Sequence, residues 1–119
     1  MKKLFISQPM KGLTDEEILK AREEAVKAAE ETIGEKVEVL PSFFEDFNPT
    51  GNIPLAYLGR SISMLSEADI AYFGKGWQDA RGCSIEYDCA VKYGISVLVS
   101  EFDAHKTVIG RRIDAGLWD

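Results

Sequence analysis

Short apolar runs alternate with longer stretches of helical spacing along this chain. Leu4 to Ser7 is the first run, broken at once by Gln8-Pro9-Met10-Lys11-Gly12, and it reads as a strand entering a turn. Thr14 then offers an N-cap hydroxyl, and Glu17, three residues on, is placed to reach back and complete a capping box. Ile18, Arg22, Ala25, Val26, Ala29 and Ile33 recur at three- and four-residue steps, the stripe of a helix with one buried face, and Gly34 ends it. The opposite face, rich in Glu and Lys, is solvated.

Val37, Val39 and Leu40 form a second strand. Residues 41–51 are irregular and hold Phe43, Phe44 and Phe47, which either cover a core edge or wall a ligand. Asn52 and Pro54 mark the next helix start, with Leu55, Leu58, Ile62 and Leu65 as its apolar stripe. Asp69 to Phe73 is a third strand, residues 74–82 a loop bracketed by glycines, and a helix runs from about Ser84 to Tyr93, stopped by Gly94. Ile95 to Val99 is a fourth, very apolar strand, and residues 103–119 add a short helix ending in Leu117 and Trp118. Strands that are apolar throughout, each separated from the next by a helix, belong to a parallel sheet covered on both faces. The expected fold is therefore α/β: a small doubly wound, flavodoxin- or Rossmann-like, mainly parallel sheet of four to five strands with helices on both faces.

Length and charge narrow the possibilities. At 119 residues the chain makes one domain spanning 1–119, with a single sizeable core. Fourteen Lys and Arg against 20 Asp and Glu give a net charge of −6, which argues against a nucleic-acid polymer as partner, because phosphate-backbone binders carry a basic patch. Leu4-Phe5-Ile6 is too short for the apolar core of a signal peptide, and no run approaches the roughly 20 apolar residues of a membrane span. A cytoplasmic protein with no membrane partner is expected. Cys83 and Cys89 lack the C-x-x-C spacing of a redox or zinc motif and read as reduced packing residues, with no metal site.

In an open α/β sheet, ligands collect beyond the carboxyl ends of the strands where the strand order reverses. Residues 7–12 and 74–82 leave strands one and three at that edge. The second loop enters a helix whose first turn is expected to hold Cys83, Ser84, Ile85 and Glu86, where free N–H groups favour an anion. Glu86 is thus either ordinary complementation of the helix dipole or a functional carboxylate, and Trp77, Asp79 and Arg81 just upstream support the second reading.

An Ala68-Asp69 pair at a strand, a loop containing Gly76-Trp77, then Gly82-x3-Glu86-x3-Ala90 and Gly94 before an apolar strand resemble the nucleoside 2-deoxyribosyltransferase-like superfamily. Ile6-Ser7-x-Pro9-Met10-x-Gly12 and Gly76-Trp77-x3-Arg81-Gly82-x3-Glu86 look closest to its uncharacterised bacterial and phage branch, over about residues 3 to 100. The resemblance implies cleavage of an N-glycosidic bond or deoxyribosyl transfer on a nucleoside or nucleoside monophosphate. Glu86 matches the nucleophile, which displaces the base from C1′ to form a glycosyl-enzyme, the carboxylate logic of retaining glycosidases. Asp79 is the available second acid, although it lies seven residues before Glu86 where the active enzymes place theirs six before, at Ala80 here. The first-strand tyrosine of active relatives falls at Phe5, and a further catalytic aspartate falls at Ser61.

The same resemblance implies a homo-oligomer that completes each site from a neighbouring subunit, with the Trp118-containing tail as a contact. Ser7, Pro9, Met10, Gly12, Ser61 and Gly82 join the substrate-binding candidates, with Gly12 equally suited to turn chemistry before Thr14. Arg60 and Arg81 either pair with a nucleotide phosphate through their planar forks or sit in surface ion pairs. Trp77 either stacks on a base or plugs the mouth of the sheet. Asp69 reads as a strand-start residue, and His105 as a solvated or capping one. There is no P-loop, Gly74-x-Gly76 lacks the third glycine of a dinucleotide fingerprint, and no cofactor is implied. A module that keeps the nucleotide pocket without turnover is the competing reading.

Overall fold

A computed structural model describes residues 1–41 and 47–100. Its elements run β1 (Lys2–Ser7), α1 (Asp15–Ile33), β2 (Val37–Val39), α2 (Ile53–Leu65), β3 (Ile70–Phe73), a 3-10 turn (Trp77–Asp79), α3 (Arg81–Lys92) and β4 (Ser96–Val99). The four strands form one sheet in the order β2-β1-β3-β4, with every neighbouring pair parallel. The step from β1 to β2 goes one way across the sheet, and the steps to β3 and β4 go the other. Right-handed crossovers then place α1 on one face and α2 and α3 on the opposite face, which is the doubly wound α/β arrangement.

The core divides along the sheet in the same way. In β1 the period-two alternation sends Leu4 and Ile6 toward α1, where they join Ala25, Ala29, Ile70, Tyr72 and Leu98. Phe5 points the other way, into a cluster with Leu65, Ala71, Phe73, Ala90, Val91 and Val97. All four residues of β3 are buried, since this strand lies inside the sheet with helices over both faces, and that is why its sequence runs apolar without alternation.

Local chemistry sets the helix boundaries. Thr14 and Glu17 form the reciprocal capping box, and α1 ends on Gly34 in the left-handed region at φ 84°. Asn52 caps α2 by accepting from the Leu55 N–H. Asp69 is structural: its Oδ2 accepts the Lys3 N–H at 2.7 Å and ties the start of β3 to β1.

Two expectations need correction. Leu55 is 63% exposed and does not belong to the buried stripe of α2. It sits in the first turn, about 15 Å along the axis from Leu65, the residue that anchors this helix in the core. Helix α3 begins at Arg81 rather than Ser84, because a single extended residue, Ala80, separates it from the 3-10 turn. Phe43, Phe44, His105, Leu117, Trp118 and the terminal helix lie outside the described residues. Both cysteines are free thiols, and among the described residues no helix is long and apolar enough to cross a membrane.

Where β1 and β3 end, their backbones close on each other. The Gly74 N–H donates to the Ser7 carbonyl at 2.7 Å, and a Cβ added at Gly74 would stand 2.7 Å from Gln8 Cβ and 3.3 Å from its Cα. Gly74→Ala therefore forces the strand ends apart and is expected to cost roughly 1–3 kcal/mol, read as a lower urea midpoint at unchanged slope. Gly59 is the control: nothing lies within 4 Å of its added Cβ on α2, so Gly59→Ala should stabilise the protein by about 0.5–1 kcal/mol.

Candidate functional site

Strands β1 and β3 are neighbours whose chains depart in opposite directions, and their carboxyl ends border the crevice where open α/β sheets bind ligands. The two departing loops touch there. Besides the Gln8–Gly74 approach, Gly76 takes a positive φ of 84°, and a Cβ at that position would lie 3.8 Å from the Pro9 ring.

Ser7 ends β1 opposite Phe73 and, two residues after Phe5, shares its face of the sheet, so its hydroxyl points toward α3. On α3 the buried residues are Cys83, Glu86, Ala90 and Val91, the three- and four-residue spacing of a core-facing stripe. Glu86 places a carboxyl in the middle of that stripe, only 7% exposed. Ser7 Oγ donates to Glu86 Oε1 at 2.6 Å, and Ser61 Oγ, from α2, donates to Oε2 at 2.5 Å. Three elements distant in sequence thus converge on one side chain.

The electrostatics follow from this enclosure. Burial pushes the Glu86 carboxyl above the usual carboxylate range, and the two serine hydroxyls, by favouring the ionised form, offset part of that rise. Cys83, one turn earlier on the same stripe, is a buried thiol pushed upward by desolvation and by the nearby Glu86 charge, with a contact to Ser7 acting the other way. It is therefore a neutral thiol against the carboxyl, not a thiolate nucleophile.

Of the residues singled out from the sequence, Ser7, Ser61 and Glu86 come together as one hydrogen-bonded group. Trp77 stacks on Tyr87 at 4.2 Å between centroids and leans on Phe73 at 5.8 Å, so its ring plugs the mouth of the sheet. Gly82 lies where α3 passes α2, with its added Cβ 4.0 Å from Leu58. Met10 and Gly12 are exposed in the turn after β1, with Gly12 at a positive φ of 84°. Arg60 is exposed, its guanidinium 5.1 Å over the Phe47 ring, and Arg81 is exposed at the first position of α3. Asp79 is exposed on the 3-10 turn, and the partners of Glu86 are the two serines.

Because α3 starts earlier than expected, Glu86 falls in its second turn. The dipole effect is concentrated in the first turn, so complementation does not account for this carboxyl. The hydroxyls that orient Glu86 come from Ser7 and Ser61, while Phe5 is fully engaged in the core. Sequence reasoning placed Cys83 beside Glu86 but read it as a packing residue, and it missed Tyr87, whose stacking on Trp77 is a contact between separate elements that no local spacing marks. Among the described residues no group of three His, Cys, Asp or Glu is placed to hold a metal ion.

A carboxyl whose folded proton affinity exceeds its unfolded one binds more protons in the native state, so its burial weakens the fold as pH rises through the ordinary carboxylate value. Glu86→Gln is therefore expected to melt at or above the wild-type temperature at neutral pH, with the advantage vanishing as pH falls below the ordinary carboxylate range. Thermal unfolding of both proteins across pH 3 to 8 checks this, and a destabilised Glu86→Gln at neutral pH would contradict it.

No curated protein and no solved structure matches the chain. One family does match, over residues 2–99, and it takes in every element from β1 to β4 together with Ser7, Ser61 and Glu86. The chain therefore belongs to the family described as a domain of unknown function, DUF4406.

Proposed function

We propose that this protein breaks the N-glycosidic bond of a nucleoside or nucleoside monophosphate, by hydrolysis or by transfer of the deoxyribosyl group. The observation that supports this reading is the enclosed carboxyl of Glu86 at the β1–β3 switch point, with each oxygen held by one serine hydroxyl. Leaving a carboxyl in a core-facing stripe costs stability, and its hydrogen-bond partners among the described residues are two neutral hydroxyls rather than a cation, which favours a functional role over a scaffolding one. Motif order and spacing over most of the chain support the same chemistry.

In this reading a Glu86 oxygen attacks C1′ as the C1′–N bond to the base breaks, and the bond electrons leave with the base. The base takes a proton from an acid, a role assigned to Asp79 on the exposed 3-10 turn, which takes a proton back from the attacking water in the second step. Water, or a second base, then attacks C1′ and releases Glu86. A desolvated carboxylate suits both steps, because the sugar is cationic in each transition state and little water screens the attraction. Ser7 and Ser61 keep the carboxylate in one orientation, which lowers the cost of reaching the attack geometry.

Incubation with 2′-deoxynucleosides and their 5′-monophosphates, followed by chromatography of free base, tests the reaction. Glu86→Gln should lower base release by on the order of a thousandfold or more. Ser61→Ala should lower it about tenfold and move the acid limb of the pH profile upward, since one hydrogen bond to the ionised form is lost. That limb should lie above the usual carboxylate range, with activity rising as Glu86 ionises.

A second reading, a nucleotide-binding module without turnover, is favoured by the fact that both Glu86 oxygens are already engaged and that Phe5 supplies no hydroxyl. Thermal stabilisation by a nucleotide with no free base released identifies that outcome. Either reading accommodates a homo-oligomer. Ile53 and Tyr57, one turn apart, are exposed on one face of α2, a helix with Arg60 as its single charged residue, and self-association through that face would give a multiple of the monomer mass in light scattering.

A further inference from the structure

Gln8 follows Ser7 and lines the opposite side of the sheet edge, in a cavity of about 420 Å³ beside α1. That volume is within the range of small-ligand pockets. Both polar atoms of its carboxamide, Oε1 and Nε2, are buried, and neither has a hydrogen-bond partner among the described residues. Burying a polar atom without a partner is unfavourable, and here a donor and an acceptor go unmatched on one side chain. The Trp77 indole nitrogen is the third such atom, and it too belongs to a loop leaving this edge of the sheet.

We propose that Gln8 is the specificity-determining residue that reads the ligand, accepting and donating one hydrogen bond each to the edge of a nucleobase in this cavity. The pairing is chemical. A carboxamide presents one acceptor and two donors in a plane, the complement of the adjacent donor and acceptor that a base carries on its edge. The cavity lining contains two carboxylates, Glu17 and Glu24, and two ammonium groups, Lys20 and Lys75, so it favours a neutral polar molecule over a phosphate. Tyr72 at its floor is a buried phenol, kept protonated by desolvation, and adds no charge. Because the carboxamide leaves no hydrogen bond behind, turning it into the cavity costs only a rotamer change. Gly74 lets Gln8 sit where it does, because a Cβ there would overlap Gln8 Cβ.

The choice of a nucleobase rests on the proposed function, whereas the unmatched carboxamide and the cavity do not. Calorimetric titration of adenine, guanine, cytosine and uracil into wild type, Gln8→Leu and Gln8→Glu, read beside the base-release assay, separates the two. At least one base should bind wild type. Gln8→Leu should weaken that binding about tenfold or more, yet melt at or above the wild-type temperature, because it removes unsatisfied polar atoms without removing a bond. Gln8→Glu, which offers acceptors only, should change the ranking of the four bases. The proposal is overturned if wild type binds none of them, if Gln8→Leu binds as wild type does, or if Gln8→Leu is destabilised with binding intact, which would make the carboxamide a structural, hydrated group. Loss of base binding in Gln8→Leu with no base release by wild type would remove the glycosidic reaction and leave this proposal standing. Base release by Gln8→Leu at wild-type KM would do the reverse.

Discussion

The parallel pairing of β1 with β3 is the constraint on which this molecule depends. Both strands lie inside the sheet, their side chains feed the two halves of the core, and their ends meet through the Gly74 N–H and the Ser7 carbonyl at 2.7 Å. From that junction one chain turns back toward α1 and the other toward α3. A crevice arises because two adjacent strands must send their chains to opposite faces, and no separate ligand-binding domain is needed to create it.

Against that background Glu86 is costly. The same stripe of α3 holds Cys83, Ala90 and Val91, each suited to apolar packing, and an alanine or leucine at position 86 would complete it. Two hydroxyls from β1 and α2 compensate for part of the lost hydration and at the same time fix the carboxyl in space. Residues that weaken the fold while being held in one geometry belong to sites more often than to scaffolds.

Much of the fold was legible because its signals are local. The Thr14–Glu17 capping box, the Gly34 stop, the Asn52 cap and the unbroken apolar run of β3 each arise from interactions within a few residues, and the alternation of strands and helices restricts the topology. Leu55 shows where that logic ends, since periodicity specifies a face and not how far a neighbour extends over it. The start of α3 was misplaced because Ala80 gives no side-chain cap, the usual written mark of a helix beginning. Within the site, Glu86 stood out by its loop context, but its partnership with Ser7 and Ser61 spans 79 and 25 residues of chain, and such contacts leave no local trace. Gln8 was invisible for a different reason: an unmatched carboxamide is a property of its surroundings, and nothing in the neighbouring residues announces it.

Ser7 and Gln8 are consecutive, the last residue of β1 and the first beyond it, yet they serve opposite sides of the sheet edge, one the carboxyl on α3 and the other the cavity beside α1. Two chemically distinct surfaces therefore share a single peptide bond and depend on one strand register. One residue inserted or deleted within β1 would carry either the Ser7 hydroxyl or the Gln8 carboxamide to the wrong side and leave the other side without its group, a penalty on length variation quite apart from any effect on the core. Relatives of this chain are free to change what stands at these two positions, but they are expected to keep the count of residues from the β1–β3 pairing to the turn.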